Sequence, residues 1–129
     1  MRLAPLFAVL VLLGCGDSRD ATPPEPQTLT RDERRLLATY EGRIAEHCVR
    51  VARSLVDPAR APTPAQERRA FAAADQLAAL VARKPRAPLD AGQDLRLFLS
   101  DVIENLEGSN CDPRMIARLE QRSAEIRGG

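Results

Sequence analysis

The sequence has no tryptophan, one tyrosine and three phenylalanines, one of which, Phe7, lies near its start. Aromatic cages for cations and stacking platforms for sugars or bases are therefore not expected. It has a single histidine, His47, so a Ser/His/Asp set cannot be assembled with a spare base, and the Glu-x-x-His pairs of di-iron bundles are absent. There is no Cys-x-x-Cys, no Cys-x-x-Cys-His haem attachment run, no glycine-rich phosphate loop and no nucleophile elbow. No segment alternates apolar and polar residues with period two over any length, which argues against a sheet. These absences leave no catalytic residue and no metal site to nominate. Charge is balanced too, with 19 Lys+Arg against 18 Asp+Glu. A balanced chain offers no general electrostatic case for nucleic acid. Lys84 is the only lysine, which with the many alanines and prolines reads as the composition of a high-GC genome.

What is present begins with an apolar run, Leu3 to Leu13, after Met1-Arg2. It falls well short of the roughly 20 residues a spanning helix needs. Gly14, Gly16 and Asp17 end it, and the length and flanks are those of a secretory signal. Leu12-Leu13-Gly14-Cys15 resembles the lipobox of bacterial lipoproteins. The resemblance covers the first 15 residues only. It implies cleavage before Cys15, a diacylglycerol on the Cys15 thiol and an acyl chain, typically palmitate, on the new amino terminus. Two or more chains give stable anchoring where one does not. Gly16 stands where an inner-membrane retention signal would place Asp. The resemblance thus implies the periplasmic face of the outer membrane in a diderm, or the outer face of the plasma membrane in a monoderm. No further cofactor is implied.

Residues 1–14 are then the signal peptide, 15–29 the lipidated cysteine and a flexible Pro-rich linker, and 30–129 a single domain. Losing Arg2 leaves 18 positive and 18 negative side chains. Thr30-Arg31-Asp32-Glu33 is a capping box with Leu29 in the staple position. It opens a helix whose apolar face is Leu36, Leu37, Tyr40, Ile44, Cys48, Val51 and Leu55, ending near Val56. Thr63-Pro64-Ala65-Gln66 opens a second helix, with Phe71, Ala74, Leu77, Ala78 and Val81 inward and Lys84-Pro85 at its end. A third is expected from about Asp90, with Leu95, Phe98, Leu99, Val102, Ile103 and Leu106 inward and Gly108 as its left-handed cap. Asp112-Pro113 opens a fourth, with Met115, Ile116, Leu119 and Ile126 inward. Four amphipathic helices on short connections predict an all-α, antiparallel four-helix bundle.

Cys48 and Cys111 are expected to form a disulfide. An exported domain meets an oxidising compartment, and an up-down bundle brings the end of the first helix to the loop between the third and fourth. His47 is expected on the helix surface, because neighbouring helical residues point about 100° apart and it cannot share an ion with Cys48. Asp90, Asp94, Asp101 and Glu104 line one side of the third helix. Arg114, Arg118 and Arg122 step along the fourth, as a solvated face paired with those acids or as a surface for an anionic partner. With no chemistry to assign, the expected function is a noncatalytic, membrane-anchored adaptor that binds another envelope protein. The alternative is a lipid or small-molecule binding module.

Overall fold

The computed structural model describes residues 27–128. Cys15, the signal-like run and the linker through residue 26 lie outside them. Four helices make up the domain: α1 (Arg31–Ser54), α2 (Pro64–Arg83), α3 (Leu95–Gly108) and α4 (Pro113–Gly128). Short 3-10 turns occupy Pro58–Arg60 and Asp90–Gly92. Among the described residues there is no strand, only an isolated antiparallel bridge between Pro88 and Asp94. No described helix is long and apolar enough to cross a membrane.

Both threonine caps form as full capping boxes. The Thr30 hydroxyl accepts from the Glu33 amide while Glu33 reaches back to the Thr30 amide, and Thr63 and Gln66 do the same for α2. Three boundaries differ from the sequence expectation. α3 starts five residues later than Asp90, with Asp94 as its cap accepting from the Leu97 amide at 3.0 Å. Gly92 at φ +72° cannot continue a helix, and the Leu89 amide turns back to the Gln93 carbonyl. At the other end Gly108 stays helical, and Asn110, at φ 57°, takes the left-handed position. Asparagine is the usual substitute for glycine there. α1 also stops at Ser54, short of Val56, leaving Leu55 and Val56 84% and 89% exposed.

α2 is the central helix. It packs most extensively against α1 and next against α4, while α3 packs chiefly on α4. Glu33 at the start of α1 meets Arg83 and Lys84 at the end of α2, so these helices run antiparallel. Arg114 meets Glu67, and Arg118 and Arg122 meet Asp75, so α4 runs parallel to α2. In a square up-down bundle the second and fourth helices sit on a diagonal. Here they touch, because α2 presents small residues: Ala70, Ala73, Ala74 and Ala78 are all buried. Around this seam Leu77, Val81, Leu95, Leu99, Met115 and Leu119 close the core, with Ile44 from α1.

The Cys48–Cys111 disulfide is present, with Cα atoms 5.0 Å apart and 63 residues between its ends. It ties α1, which makes few contacts with α3 or α4, to the α3–α4 connection. Closing a loop of that size constrains the unfolded chain by about 4 kcal/mol in the entropic view. Urea unfolding of the Cys48→Ser/Cys111→Ser variant should show a loss near that size. A loss below about 1 kcal/mol would mean that the packing of α1 on α2 suffices without the bond.

Candidate functional site

The disulfide lies between two sequence neighbours that turn out to be bonded to each other. His47 precedes Cys48 and Asp112 follows Cys111. The His47 Nε2 and Asp112 Oδ2 are 2.9 Å apart, with the histidine 1% and the aspartate 4% exposed. His47 is thus a buried residue, not a surface one. Its position 100° around from Cys48 still faces inward, because α2 covers that side of α1 with Phe71, whose ring meets the imidazole edge-on at 5.5 Å.

Asp112 does several jobs with one carboxylate. Oδ1 accepts from the Arg114 amide at 3.0 Å and from Arg114 Nε at 3.2 Å. Oδ2 accepts from the Arg114 guanidinium at 2.8 Å as well as facing His47. Burial pushes its pKa up, but the bonds from Arg114 and His47 more than offset this and hold the carboxyl at about 2. An ionised carboxylate only accepts, so His47 donates through Nε2. His47 Nδ1 is then a buried atom with no hydrogen-bond partner.

Arg114 carries the network outward. Its guanidinium bonds Glu67 on α2 at 2.6 Å and stacks over Phe71 at 5.5 Å, beside Arg118 at 5.4 Å. Asp112 first, then Glu67, raise its already high pKa further. Arg118 pairs with Asp75 through both carboxylate oxygens, at 3.0 and 2.8 Å, and Arg122 reaches Asp75 at 3.3 Å and Glu125 at 3.2 Å. The arginine stripe thus pairs mainly with acids of α2, not with those of α3. Of the α3 acids, Asp94 caps its own helix and bonds Arg96, and Asp101 accepts from Gln93.

His47, Glu67 and Asp112 each offer a donor atom, and these atoms all lie within 4.8 Å of one another. This grouping could hold a metal ion, and nothing in the spacing of the three residues announces it. The adjacent pairs His47-Cys48 and Cys111-Asp112 were the available signal, since an inferred disulfide brings its neighbours together. In the structure the Arg114 guanidinium supplies the positive charge between the two carboxylates. A metal-bound histidine normally donates its other ring N–H to an acceptor, and Nδ1 here faces none.

Along the α2–α4 seam run two open concavities. One, about 470 Å³, is lined by Pro64, Glu67, Arg68, Phe71, Arg114 and Arg118. The other, about 530 Å³, has Ala78, Ala79, Ala82 and Ile126 as its floor and Asp75, Arg122 and Glu125 at its rim. Arg114 and Arg118 line the first and Arg122 the second, so all three stand along the α2–α4 seam, hereafter the groove. Cys15 lies outside the described residues. Comparison with known proteins finds no matching family model, no similar curated protein and no similar solved structure.

Two carboxylates report on this arrangement through pH. Asp112 falls from an ordinary 3.8 to about 2. Glu33 falls from 4.5 to about 2, through the bond from Lys84 first and then that from the Thr30 amide. Both are more readily ionised when folded, so their contribution is complete above about pH 4.5 and is lost as pH falls toward 2. The urea midpoint should decline through that window, and Asp112→Asn should flatten the decline. At neutral pH the same variant should lose about 3–5 kcal/mol, the size expected when one partner of a buried charged pair is removed. A neutral-pH stability equal to wild type would show that His47 and Arg114 find other partners.

Proposed function

We propose that this chain is a noncatalytic, lipid-anchored envelope module that binds another protein along the α2–α4 groove. The observation that carries this reading is the groove's composition. An alanine and isoleucine floor is bordered by charged side chains already held in place by one another, the apolar-centre, polar-rim pattern of protein interfaces. Arg114, Arg118 and Arg122 are in this reading rim residues, with Phe71 as an aromatic anchor at one end. A small apolar ligand would instead call for an enclosed interior cavity. The interior here is filled by fully buried Leu77, Val81, Leu95, Met115 and Leu119, and the larger concavities open to the surface. The anchor is Cys15, on its resemblance to the lipobox, and it places the domain in the cell envelope.

In-cell cross-linking of the tagged full chain, followed by mass spectrometry, tests the groove. Ala79 and Ala82 are exposed on its floor and take part in none of the ion pairs, so Ala79→Glu/Ala82→Glu should leave folding intact. Capture of one abundant envelope protein by wild type should drop at least about tenfold in this variant, as loss of a central contact does. Equal capture by both would place the binding surface elsewhere.

A further inference from the structure

The first described residues are folded onto the domain. Leu29 is buried in the core cluster. The buried Lys84 Nζ donates to the Thr28 carbonyl at 2.9 Å and to Glu33 at 2.8 Å. The Gln27 side-chain carbonyl accepts from the Arg86 amide at 3.1 Å. The chain therefore joins the domain at a fixed place, where the start of α1 meets the end of α2.

That place is strongly basic. Within segments 31–35 and 83–86, Arg31, Arg34, Arg35, Arg83, Lys84 and Arg86 stand against Asp32 and Glu33, six positive charges against two negative, while Glu41 and Asp90 share a surface hollow with Arg34. Glu33 is taken by Lys84 and Arg83, and Asp32 faces Arg35 at 3.9 Å. Arg31, Arg34 and Arg86 are exposed and have no side-chain ion pair among the described residues. Residues 27–128 carry 17 positive and 15 negative side chains, a net +2. The net +4 of segments 31–35 and 83–86 is thus a local excess, reduced at its edge by Glu41 and Asp90 and offset elsewhere in the domain. The opposite pole holds the exposed carboxylates Glu104, Glu107 and Glu120 together with the exposed Arg53, Arg68 and Arg69.

We propose that this basic root is a lipid-facing surface that takes the anionic phospholipid headgroups of the bilayer holding Cys15. The proposal rests on the lipid-anchor reading and adds to it an orientation. Basic side chains beside an anionic leaflet contribute additively and only within about a Debye length, some 10 Å. A tether keeps them at high local concentration over that surface. The linker's own charges, Asp17, Asp20 and Glu25 against Arg19, sum to −2, half the excess at the root. With the root on the membrane, the starts of α2 and α4, and the Phe71 end of the groove between them, lie at the far pole, open to a partner.

The test uses the exported full chain, its acylation read by intact mass. It is reconstituted in vesicles of phosphatidylcholine alone or with about 30% phosphatidylglycerol. A photoactivatable phosphatidylglycerol should label peptides covering 27–35 and 83–86 at least about tenfold more than those covering 55–60. Arg31→Glu/Arg34→Glu/Arg86→Glu should abolish the difference without moving the thermal midpoint. Equal labelling of both poles, or labelling that survives charge reversal, overturns the proposal. An unacylated Cys15 overturns the anchor reading instead. The purified chain is then sedimented with both kinds of vesicle. Pelleting that needs phosphatidylglycerol and is lost in the triple variant upholds the root as a headgroup surface, and no pelleting overturns it.

Discussion

The carboxylate of Asp112 accepts from its own helix, from α1 and from a guanidinium that continues to α2, so three of the four helices meet at one buried charge. A buried ion is tolerated when its lone pairs are filled and an opposite charge is close. Here Arg114 supplies the charge and His47 a further donor. The disulfide lies one residue away on each strand of the same junction, so a covalent and a polar cross-link act side by side. α1 is otherwise held mainly by α2, and this junction fastens its far end to α4.

The second constraint is the size of the residues on α2. Alanine at positions 70, 73, 74 and 78 lets α4 approach α2 directly, and the larger side chains of α3 and α4 fill the space this leaves. Close approach also produces the groove, because an alanine floor between two helices leaves volume that longer charged side chains border without filling. Arg118 and Arg122, both directed at Asp75, then fix that border. Packing on the inside and a recessed strip on the outside have the same cause.

Much of the architecture was readable along the chain. The two Thr-led capping boxes, the Asp112-Pro113 start and the spacing of Leu77, Val81, Leu99 and Leu119 are local signals, and local hydrogen bonding and helical period decide them. The boundary errors were local too. Asp90 and Asp94 are equally good caps, and the turn at Gly92 chose between them. Gly108 and Asn110 are both competent at a left-handed position, and the helix ran on to the second. The site was less legible. His47 looked like a surface residue because a helix start or an apolar spacing says nothing about which polar group a neighbour will cover.

Taken by itself, the sequence determined four amphipathic helices, the capping boxes of α1 and α2 and the pairing of Cys48 with Cys111. Each depends on residues near one another in the chain or on a compartment that favours disulfides. Tertiary structure alone decided that α2 and α4 touch, that His47 and Asp112 share a buried bond, and that the arginines of α4 turn to Glu67 and Asp75. Those partners lie 65, 47 and 43 residues apart. Only the way alanine-faced helices close together, and the need to pair every charge that closure buries, brings them into contact.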